Sequence, residues 1–331
     1  MKIGRVLGGV VVVLVIIPVA VAFITVRHHQ YSPVPRPAQQ ARHVSADSST
    51  CPKPRPARWP LIGVAPGKPW GRNLTGFEQV TGVHRPQLVA EYLPFGAPFN
   101  AAEACRIARA GGKLLIQWDL PENTSLQQIA DGRRDKYITR FARDVRAAQV
   151  PIVLSFGHEM NGSWYSWGYT HVSPGTFISA WRHLHRLFAA AGARNVIWCW
   201  DVNHWIPALA GRAPNYNVSP PRWWWPGARY VDWVGMDAYF ETPGATFSTL
   251  FTGSLKALRK LTHKPVLIGE TAAGAGPEQG AQIRMLFAGL KRTHLIGAVW
   301  FEGKVRENWR LEGHPAAIAA FRAGLRSLRH S

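Results

Sequence analysis

Eight short apolar runs recur along the chain from residue 59 onward, and each is followed by a loop and usually by a stretch of helical periodicity. The runs are WPLIGVAP (59–66), PQLVAEYL (86–93), KLLIQWDL (113–120), VPIVLSFGHE (150–159), NVIWCWDVN (195–203), VDWVGMDAY (231–239), KPVLIGET (264–271) and IGAVWFEG (296–303). Within them Val, Ile and Leu follow one another without polar alternation, which is typical of parallel strands buried on both faces. The pattern therefore predicts eight buried parallel strands.

Helical periodicity fills several of the gaps between these runs. Apolar positions recur three and four residues apart in 135–149, in 176–193, where a glycine follows the last turn, and in 314–330. This alternation of strand and helix predicts a (β/α)8 TIM barrel over residues 59–331. A doubly wound open sheet can also hold eight strands, but the chain after the first strand, APGKPWG, lacks the Gly-rich phosphate-binding pattern. The barrel is therefore the preferred prediction.

The N-terminal part of the chain differs from this body. Residues 6–26 are mostly apolar and uncharged, and they follow Lys2 and Arg5. Such a stretch is long enough to span a bilayer, but Pro18 and the small residues after it also fit a signal-peptidase site. We therefore expect residues 1–29 to be a transmembrane anchor or a cleaved signal peptide. Both place the body outside the cytoplasm, secreted or attached to the membrane through residues 6–26 if these are retained.

Residues 30–58 are rich in Pro, Arg, Ser and Ala, which predicts a semi-extended linker between the N-terminal segment and the body. The three cysteines fit an oxidising compartment. A disulfide between Cys51 and Cys105 would attach the linker to the body and leave Cys199 as a buried thiol. The cysteine spacings match no metal site, and we expect neither a metal nor another cofactor.

The charge of the chain changes the picture little. Its 331 residues include 39 Lys and Arg against 19 Asp and Glu, a formal net charge of +20. Attraction to an anionic surface is one interpretation of this excess, and solubility is the other. The chain has no basic run with interleaved aromatic residues and no nucleic-acid motif, so we prefer solubility and expect no nucleic-acid partner.

Acidic, amide and aromatic side chains gather at the C-terminal ends of the predicted strands, where barrels carry their catalytic groups. These ends read Gln117-Trp118-Asp119, His158-Glu159, Asp201-Val202-Asn203-His204, Asp237-Ala238-Tyr239, Glu270 and Trp300-Phe301-Glu302. Glu159 and Glu270 should face each other across the barrel mouth. Two carboxyl groups about 5–5.5 Å apart, one protonated and one ionised, are what a retaining glycosidase needs. Tryptophan rings beside them would pack against the C–H faces of sugars.

Two motifs carry a family resemblance. HEMNGSWYSWG (158–168) resembles the strand-four signature of glycoside hydrolase family 26, a family of many β-mannanases within a large clan of retaining (β/α)8 hydrolases. IGET (268–271) is similar to the nucleophile site of that clan. The resemblance covers nearly the whole body, from about Trp59 to Phe321. It implies a retaining endo-β-glycosidase that acts on a β-linked polysaccharide, with β-1,4-mannan as the first expectation.

The resemblance also implies roles for the matching residues. Glu159 corresponds to the general acid/base and Glu270 to the nucleophile. His158 corresponds to a histidine in the subsite of the reacting sugar, and Tyr239 to a tyrosine whose hydroxyl steadies the nucleophile. The remaining side chains expected to support substrate binding are Trp164, Trp300, Trp118 and Gln117.

The sequence departs from the family at one position. Mannanases of this family usually have an arginine four residues before the acid/base, where this chain has Ser155. An arginine there would help to keep the nucleophile ionised. The family also includes enzymes for mixed-linkage β-glucan and β-1,3-xylan, so these substrates stay open. A barrel that binds envelope glycan without hydrolysis, or one that transfers glycosyl groups, is the alternative function.

Overall fold

Eight parallel strands close into a barrel in the computed structural model, which describes residues 51, 60–67, 70–83, 85–209, 217–305 and 307–329. The strands are β1 (Leu61–Ala65), β2 (Leu88–Pro94), β3 (Lys113–Asp119), β4 (Ile152–Phe156), β5 (Val196–Asn203), β6 (Trp233–Asp237), β7 (Val266–Thr271) and β8 (Gly297–Phe301). They are hydrogen-bonded in chain order, and β1 pairs with both β2 and β8, which closes the barrel. The predicted TIM barrel is confirmed, and the open sheet is excluded.

Helices surround this barrel and pack against its outer face. They are α1 (Trp70–Thr81), α2 (Ala101–Arg109), α3 (Leu126–Ala130), α4 (Asp135–Ala148), α5 (Pro174–Ala190), α6 (Gly253–Leu261), α7 (Gln279–Thr293) and α8 (Pro315–Arg329). The helices predicted from periodicity match α4, α5 and α8 within a few residues at each end. The described part of the β5–β6 connection holds two short 3₁₀ segments in place of an α-helix, Pro221–Trp224 and Ala228–Tyr230.

Helix α5 shows how local sequence sets an element. Ser173 caps its N-terminus by accepting a hydrogen bond from the Thr176 backbone N–H at 3.1 Å, and Pro174 occupies the first helical position. A Ser-Pro start suits a helix because the first backbone N–H groups have no partner within it. After the helix, Gly192 adopts φ +73°, a left-handed conformation that glycine reaches without strain.

A layer of aromatic side chains fills the space between the strands and helices. Trp118 of β3 is completely buried and stacks on Phe141 of α4, with 4.5 Å between ring centroids. Trp181 of α5 is equally buried, and its Nε1–H donates to the Tyr230 backbone carbonyl at 3.0 Å. Burying one large apolar side chain contributes about 1.5–3 kcal/mol. This layer therefore stabilises the packing of the helices against the barrel.

The predicted disulfide between Cys51 and Cys105 is confirmed, with 5.4 Å between the two Cα atoms. It joins a residue of the linker to α2. Cys199 of β5 is a free, buried thiol, as predicted.

The two N-terminal segments predicted from the sequence, residues 1–29 and 30–58, lie outside the described residues except for Cys51. The predicted membrane contact through residues 6–26 lies outside them as well. Within the part of the chain that the structure describes, no helix combines the length and apolar character needed to cross a bilayer.

Candidate active site

The loop that follows β4 places Glu159 in the barrel mouth with an unusual backbone conformation. Gly157 and Glu159 both have positive φ angles, 55° and 53°. A left-handed backbone is uncommon for glutamate and is found where the surrounding structure imposes it. Here the Glu159 backbone N–H donates to the Asp201 carbonyl at 2.9 Å, which ties the loop to β5.

Asn161 holds this loop in place, so the Asn-Gly pair does more than turn the chain. Its side chain is fully buried, accepts from the Asn203 backbone N–H and donates to the Asn203 carbonyl, both at 2.8 Å. Gly162 follows, and a side chain there would collide with the indole ring of Trp164. The sequence HEMNGSW therefore encodes the docking of the loop and the position of its tryptophan.

The carboxyl group of Glu159 accepts one hydrogen bond on each oxygen. Asn203 Nδ2 donates to Oε1 at 2.6 Å, and Trp164 Nε1 donates to Oε2 at 2.7 Å. The side chain is 7% exposed, so both donors act in a region with little water. Hydrogen bonds to charged groups are stronger than those between neutral groups, especially away from water.

Glu270 lies in β7 at the same end of the barrel and is partly buried. The hydroxyl of Tyr92 donates to its Oε2, and the hydroxyl of Tyr239 donates to its Oε1. Trp309 packs against the ring of Tyr239 with 4.9 Å between centroids. The structure thus places Tyr239 beside Glu270, and it adds Tyr92, which the sequence did not single out.

His158 forms an ion pair with Asp119 at the edge of the mouth. Its Nδ1 lies 3.0 Å from Asp119 Oδ1, and its Nε2 lies 3.2 Å from the Tyr165 hydroxyl. Burial alone would lower the pKa of His158, but the negative charge of Asp119 overrides burial and raises that pKa to about 9. The imidazole is therefore a cation at neutral pH.

The electrostatic surroundings of Glu270 work in two directions. Burial raises the pKa of Glu270 to about 8, and the charge of Glu159 contributes to this rise. The His158 cation and the hydrogen bond from Tyr92 lower the pKa. The charges of Glu159 and Glu270 thus interact at this end of the barrel.

Further polar side chains fill the barrel interior next to Glu159 and Glu270. Asp201 and Asp237 are completely buried, and burial raises the pKa of each carboxyl, that of Asp201 to about 6. Gln117, predicted to support substrate binding, is buried with them and donates from Nε2 to Asp201 Oδ2 at 3.2 Å. A side chain at Gly269 would collide with the Asp201 carboxyl group, so the glycine preceding Glu270 makes room for this acid.

Two of the tryptophans expected near the substrate do not join the site. Trp118 stacks on Phe141 in the layer outside the barrel. Trp300 is 2% exposed and packs edge-on against Phe321 of α8, 5.5 Å between centroids. Neither ring can therefore form a wall of the mouth. Phe301, the next residue in β8, is the aromatic side chain there, with its centroid 6.2 Å from that of Tyr92.

Sequence reasoning missed Tyr92, Asp119 and Tyr165 as members of the site and left the role of Asn203 undecided. Tyr92 comes near the end of the second apolar run, so the rule that strand ends carry function could have found it. Asp119 stands near the end of the third apolar run, but the sequence does not identify His158 as its partner. Tyr165 lies in the loop after β4, where no periodic pattern marks it.

This arrangement can combine proton transfer with nucleophilic attack. The Glu159 carboxyl accepts hydrogen bonds from an amide and from an indole N–H. The Glu270 carboxyl accepts from two tyrosine hydroxyls and lies near the His158 cation. Different surroundings allow two carboxyl groups to take different protonation states. Among the described residues, no group of three or more His, Cys, Asp or Glu side chains is arranged to hold a metal ion.

Comparison with protein families extends this picture. The model of Glycosyl hydrolase family 26 matches residues 123–275, a segment that contains both Glu159 and Glu270. The chain is similar to Endoglucanase H of Acetivibrio thermocellus, with 29% identity over 268 residues, 76% of this chain and 29% of that protein. It is also similar to Mannan endo-1,4-beta-mannosidase of Bacillus subtilis, with 30% identity over 126 residues, 36% of this chain and 29% of that protein. The chain thus spans less than a third of the length of these curated relatives.

Solved structures show the same fold. A family 26 β-mannanase from Bacteroides ovatus aligns with a TM-score of 0.58 and 16% identity, covering 82% of this chain and 89% of that one. A modular endo-β-1,4-mannanase from Cellulomonas fimi aligns with a TM-score of 0.63 and 18% identity, covering 81% and 70%. At this level of identity the likeness concerns the fold alone.

Proposed function

We propose that the chain is a member of glycoside hydrolase family 26 and a retaining endo-β-glycosidase, with β-1,4-mannan as the leading substrate. The observation that carries the proposal is the pair of carboxyl groups, Glu159 and Glu270, at one barrel mouth, inside the segment that the family model matches. The mannan endo-1,4-beta-mannosidases among the sequence relatives support mannan as the substrate.

In the proposed first step, one oxygen of Glu270 attacks the anomeric carbon of the bound sugar. The bond between that carbon and the leaving oxygen breaks, and Glu159 gives its proton to this oxygen. The product of the step is a covalent glycosyl–enzyme ester and a free sugar end. Asn203 and Trp164 then stabilise the Glu159 carboxylate that has lost its proton, because both donate to it.

In the proposed second step, Glu159 acts as the base. It takes a proton from a water molecule, the water oxygen bonds to the anomeric carbon, and Glu270 leaves as a carboxylate. Two displacements at one carbon restore its original configuration. Glu270 must be ionised before the first step and becomes ionised again at the end of the second.

Among the remaining predicted side chains, we assign Trp164 to the wall of the reacting subsite, since it lies beside Glu159 in the mouth. We assign His158 to the same subsite as a cation that stabilises the charge of Glu270. Gln117 lies below the mouth, where it donates a hydrogen bond to Asp201, and we assign it no contact with the sugar.

The test is a reducing-sugar assay of the full-length protein on mannan, galactomannan, mixed-linkage β-glucan and β-1,3-xylan. Glu270→Ala and Glu159→Ala should each abolish hydrolysis of the polysaccharide, whereas Glu103→Gln, on the outer helix α2, should leave it unchanged. Proton NMR of the first product should show the β-anomer. Full activity of Glu270→Ala, or release of the α-anomer, would contradict the mechanism. Binding to these glycans without any new reducing ends would favour a glycan-binding protein.

A second candidate substrate is β-glucan. The match to Endoglucanase H extends over 76% of the chain, about twice the share that the mannosidase match covers. Ser155, at the position where mannanases of the family usually carry arginine, is buried inside the barrel. Faster hydrolysis of mixed-linkage β-glucan than of mannan in the same assay would favour this candidate.

We also propose that the protein works outside the cytoplasm, secreted or attached to the membrane through residues 6–26. The Cys51–Cys105 disulfide supports this location, because disulfides persist in oxidising compartments. Fractionation of cells that express the full chain, followed by thiol labelling with and without reductant, tests the location. A reduced cytoplasmic protein would contradict it.

A further inference from the structure

Tyr92 reaches Glu270 from a distant part of the barrel. Its strand, β2, is separated from β7 by β1 and β8, and the two positions are 178 residues apart in sequence. The Tyr92 hydroxyl nevertheless donates to Glu270 Oε2. This contact spans the mouth, so it depends on the closure of the barrel and not on local sequence.

Packing fixes the ring of Tyr92 in this position. Its centroid lies 6.2 Å from that of Phe301, in an edge-on arrangement, and 5.9 Å from that of His158. Burial raises the pKa of the Tyr92 hydroxyl well above its usual value, and the charge of Glu270 raises it further. The hydroxyl therefore keeps its proton over the working pH range and remains a donor.

Glu270 needs such donors because of the charges that surround it. Among the residues that the structure describes, no Lys or Arg forms an ion pair with Glu270. The titratable side chains that act on it from the surrounding elements are His158, Glu159, Asp201, Asp237, Tyr92, Tyr165 and Tyr239. Three of these seven are acids, and only Tyr92 and Tyr239 donate a hydrogen bond to Glu270, so its charge depends on one cation and two hydroxyl groups.

We propose that Tyr92 is a positioning residue that holds Oε2 of Glu270 while Tyr239 holds Oε1, so that the two tyrosines together fix the plane of the carboxylate and stabilise its charge. The inference rests on the proposed role of Glu270 as the nucleophile. A carboxylate loses its charge when it forms the glycosyl ester and regains it when it leaves. Donors to its oxygens should therefore assist the second step, in which Glu270 is the leaving group.

Tyr92→Phe tests this role, because it removes only the hydroxyl group and keeps the packed ring. The acidic limb of kcat/KM should shift to higher pH by about one unit, since loss of a donor disfavours the ionised carboxyl. Above this limb, kcat/KM should approach the wild-type value, whereas kcat should stay about 10-fold lower or more at every pH. KM should fall together with kcat as the glycosyl enzyme accumulates.

Tyr137→Phe is the matched control. Tyr137 is also a partly buried tyrosine, and its hydroxyl donates to the Ala97 carbonyl at 2.7 Å, away from Glu270. The control should leave the pH profile unchanged, and Tyr239→Phe should shift it in the same direction as Tyr92→Phe. Equal losses for Tyr92→Phe and Tyr137→Phe with no shift of the pH profile would overturn the proposal.

A second measurement separates this proposal from the function itself. The kinetic assay uses whichever of the four polysaccharides the wild type cleaves, and if the wild type hydrolyses none of them, the proposed function fails. The ionisation of Glu270 can still be followed in the full-length protein by ¹³C NMR of labelled glutamate, assigned with Glu270→Gln. Titration of Glu270 about one unit higher in Tyr92→Phe supports the positioning role. An unchanged titration refutes it.

Discussion

Gly162 lies under the indole ring of Trp164, and this contact allows a sharp test of how the loop after β4 positions the mouth. A Cβ atom at position 162 would collide with the indole of Trp164, so Gly162→Ala must displace that ring. The displaced indole loses its hydrogen bond to Glu159 Oε2, which is 2.7 Å long. The backbone of Gly162 does not require positive φ, so the steric contact with Trp164 is the main obstacle to alanine.

The magnitude follows from the bond that is lost. A hydrogen bond to a charged group contributes about 1.5–3 kcal/mol, which corresponds to a decrease of about 10- to 150-fold in kcat/KM. The assay is steady-state hydrolysis of the polysaccharide that the wild type cleaves, together with thermal unfolding to verify that the variant is folded. Gly71→Ala is the matched control, because a Cβ at this exposed helical glycine meets nothing.

A double-mutant cycle with Trp164→Ala tests whether the effect runs through the indole. Once the ring is absent, Gly162→Ala has nothing to displace and should cause no further loss of kcat/KM. The reasoning is refuted if Gly162→Ala keeps wild-type kcat/KM. It is equally refuted if the two single losses multiply in the double variant, because the glycine would then act independently of Trp164.

Three further predictions follow from the same structure. Because burial raises the pKa of Glu270 to about 8 and only its carboxylate attacks, kcat/KM should increase with pH up to about 8, and an acidic limb near pH 4.5 would contradict this. Because the pKa of His158 is about 9 when folded and about 6.5 when unfolded, the histidine binds more protons in the folded protein between these values. Protonated His158 should thus add up to about 3 kcal/mol to the free energy of unfolding below pH 6.5, and this contribution should be lost as pH rises through 9. Urea unfolding at a series of pH values measures the decrease. The variant Asp119→Asn should not show it. Replacing Cys51 and Cys105 by serine should lower the free energy of unfolding by about 2–4 kcal/mol without changing kcat/KM, and a lowered kcat/KM in the folded variant would show that the disulfide also shapes the mouth.

In the part of the chain that the structure describes, Glu270 forms no ion pair with Lys or Arg, so its charge is stabilised in another way. Ser155 is buried inside the barrel and pairs in register with Gln117 of β3. The charge of Glu270 is instead balanced by hydrogen bonds from tyrosine and by the His158 cation.

Local sequence determined the strands, the longer helices and the placement of two glutamates at strand ends. Apolar runs without polar alternation can only be buried, and helical periodicity is a property of neighbouring residues. The order of the strands in the barrel is their order in the sequence, because each strand pairs with the next one along the chain. The sequence alone therefore predicts that Glu159 and Glu270 lie at the same end of the barrel.

Only the tertiary structure decided which side of each strand faces the mouth. In β3 the inward residue is Gln117 and the outward one is Trp118, and in β8 Phe301 faces inward while Trp300 packs against α8. A strand buried on both faces carries apolar residues on each side, so its sequence holds no signal for direction. The contact of Tyr92 with Glu270 likewise joins two positions 178 residues apart. Such contacts arise from barrel closure, which no local pattern along the chain records.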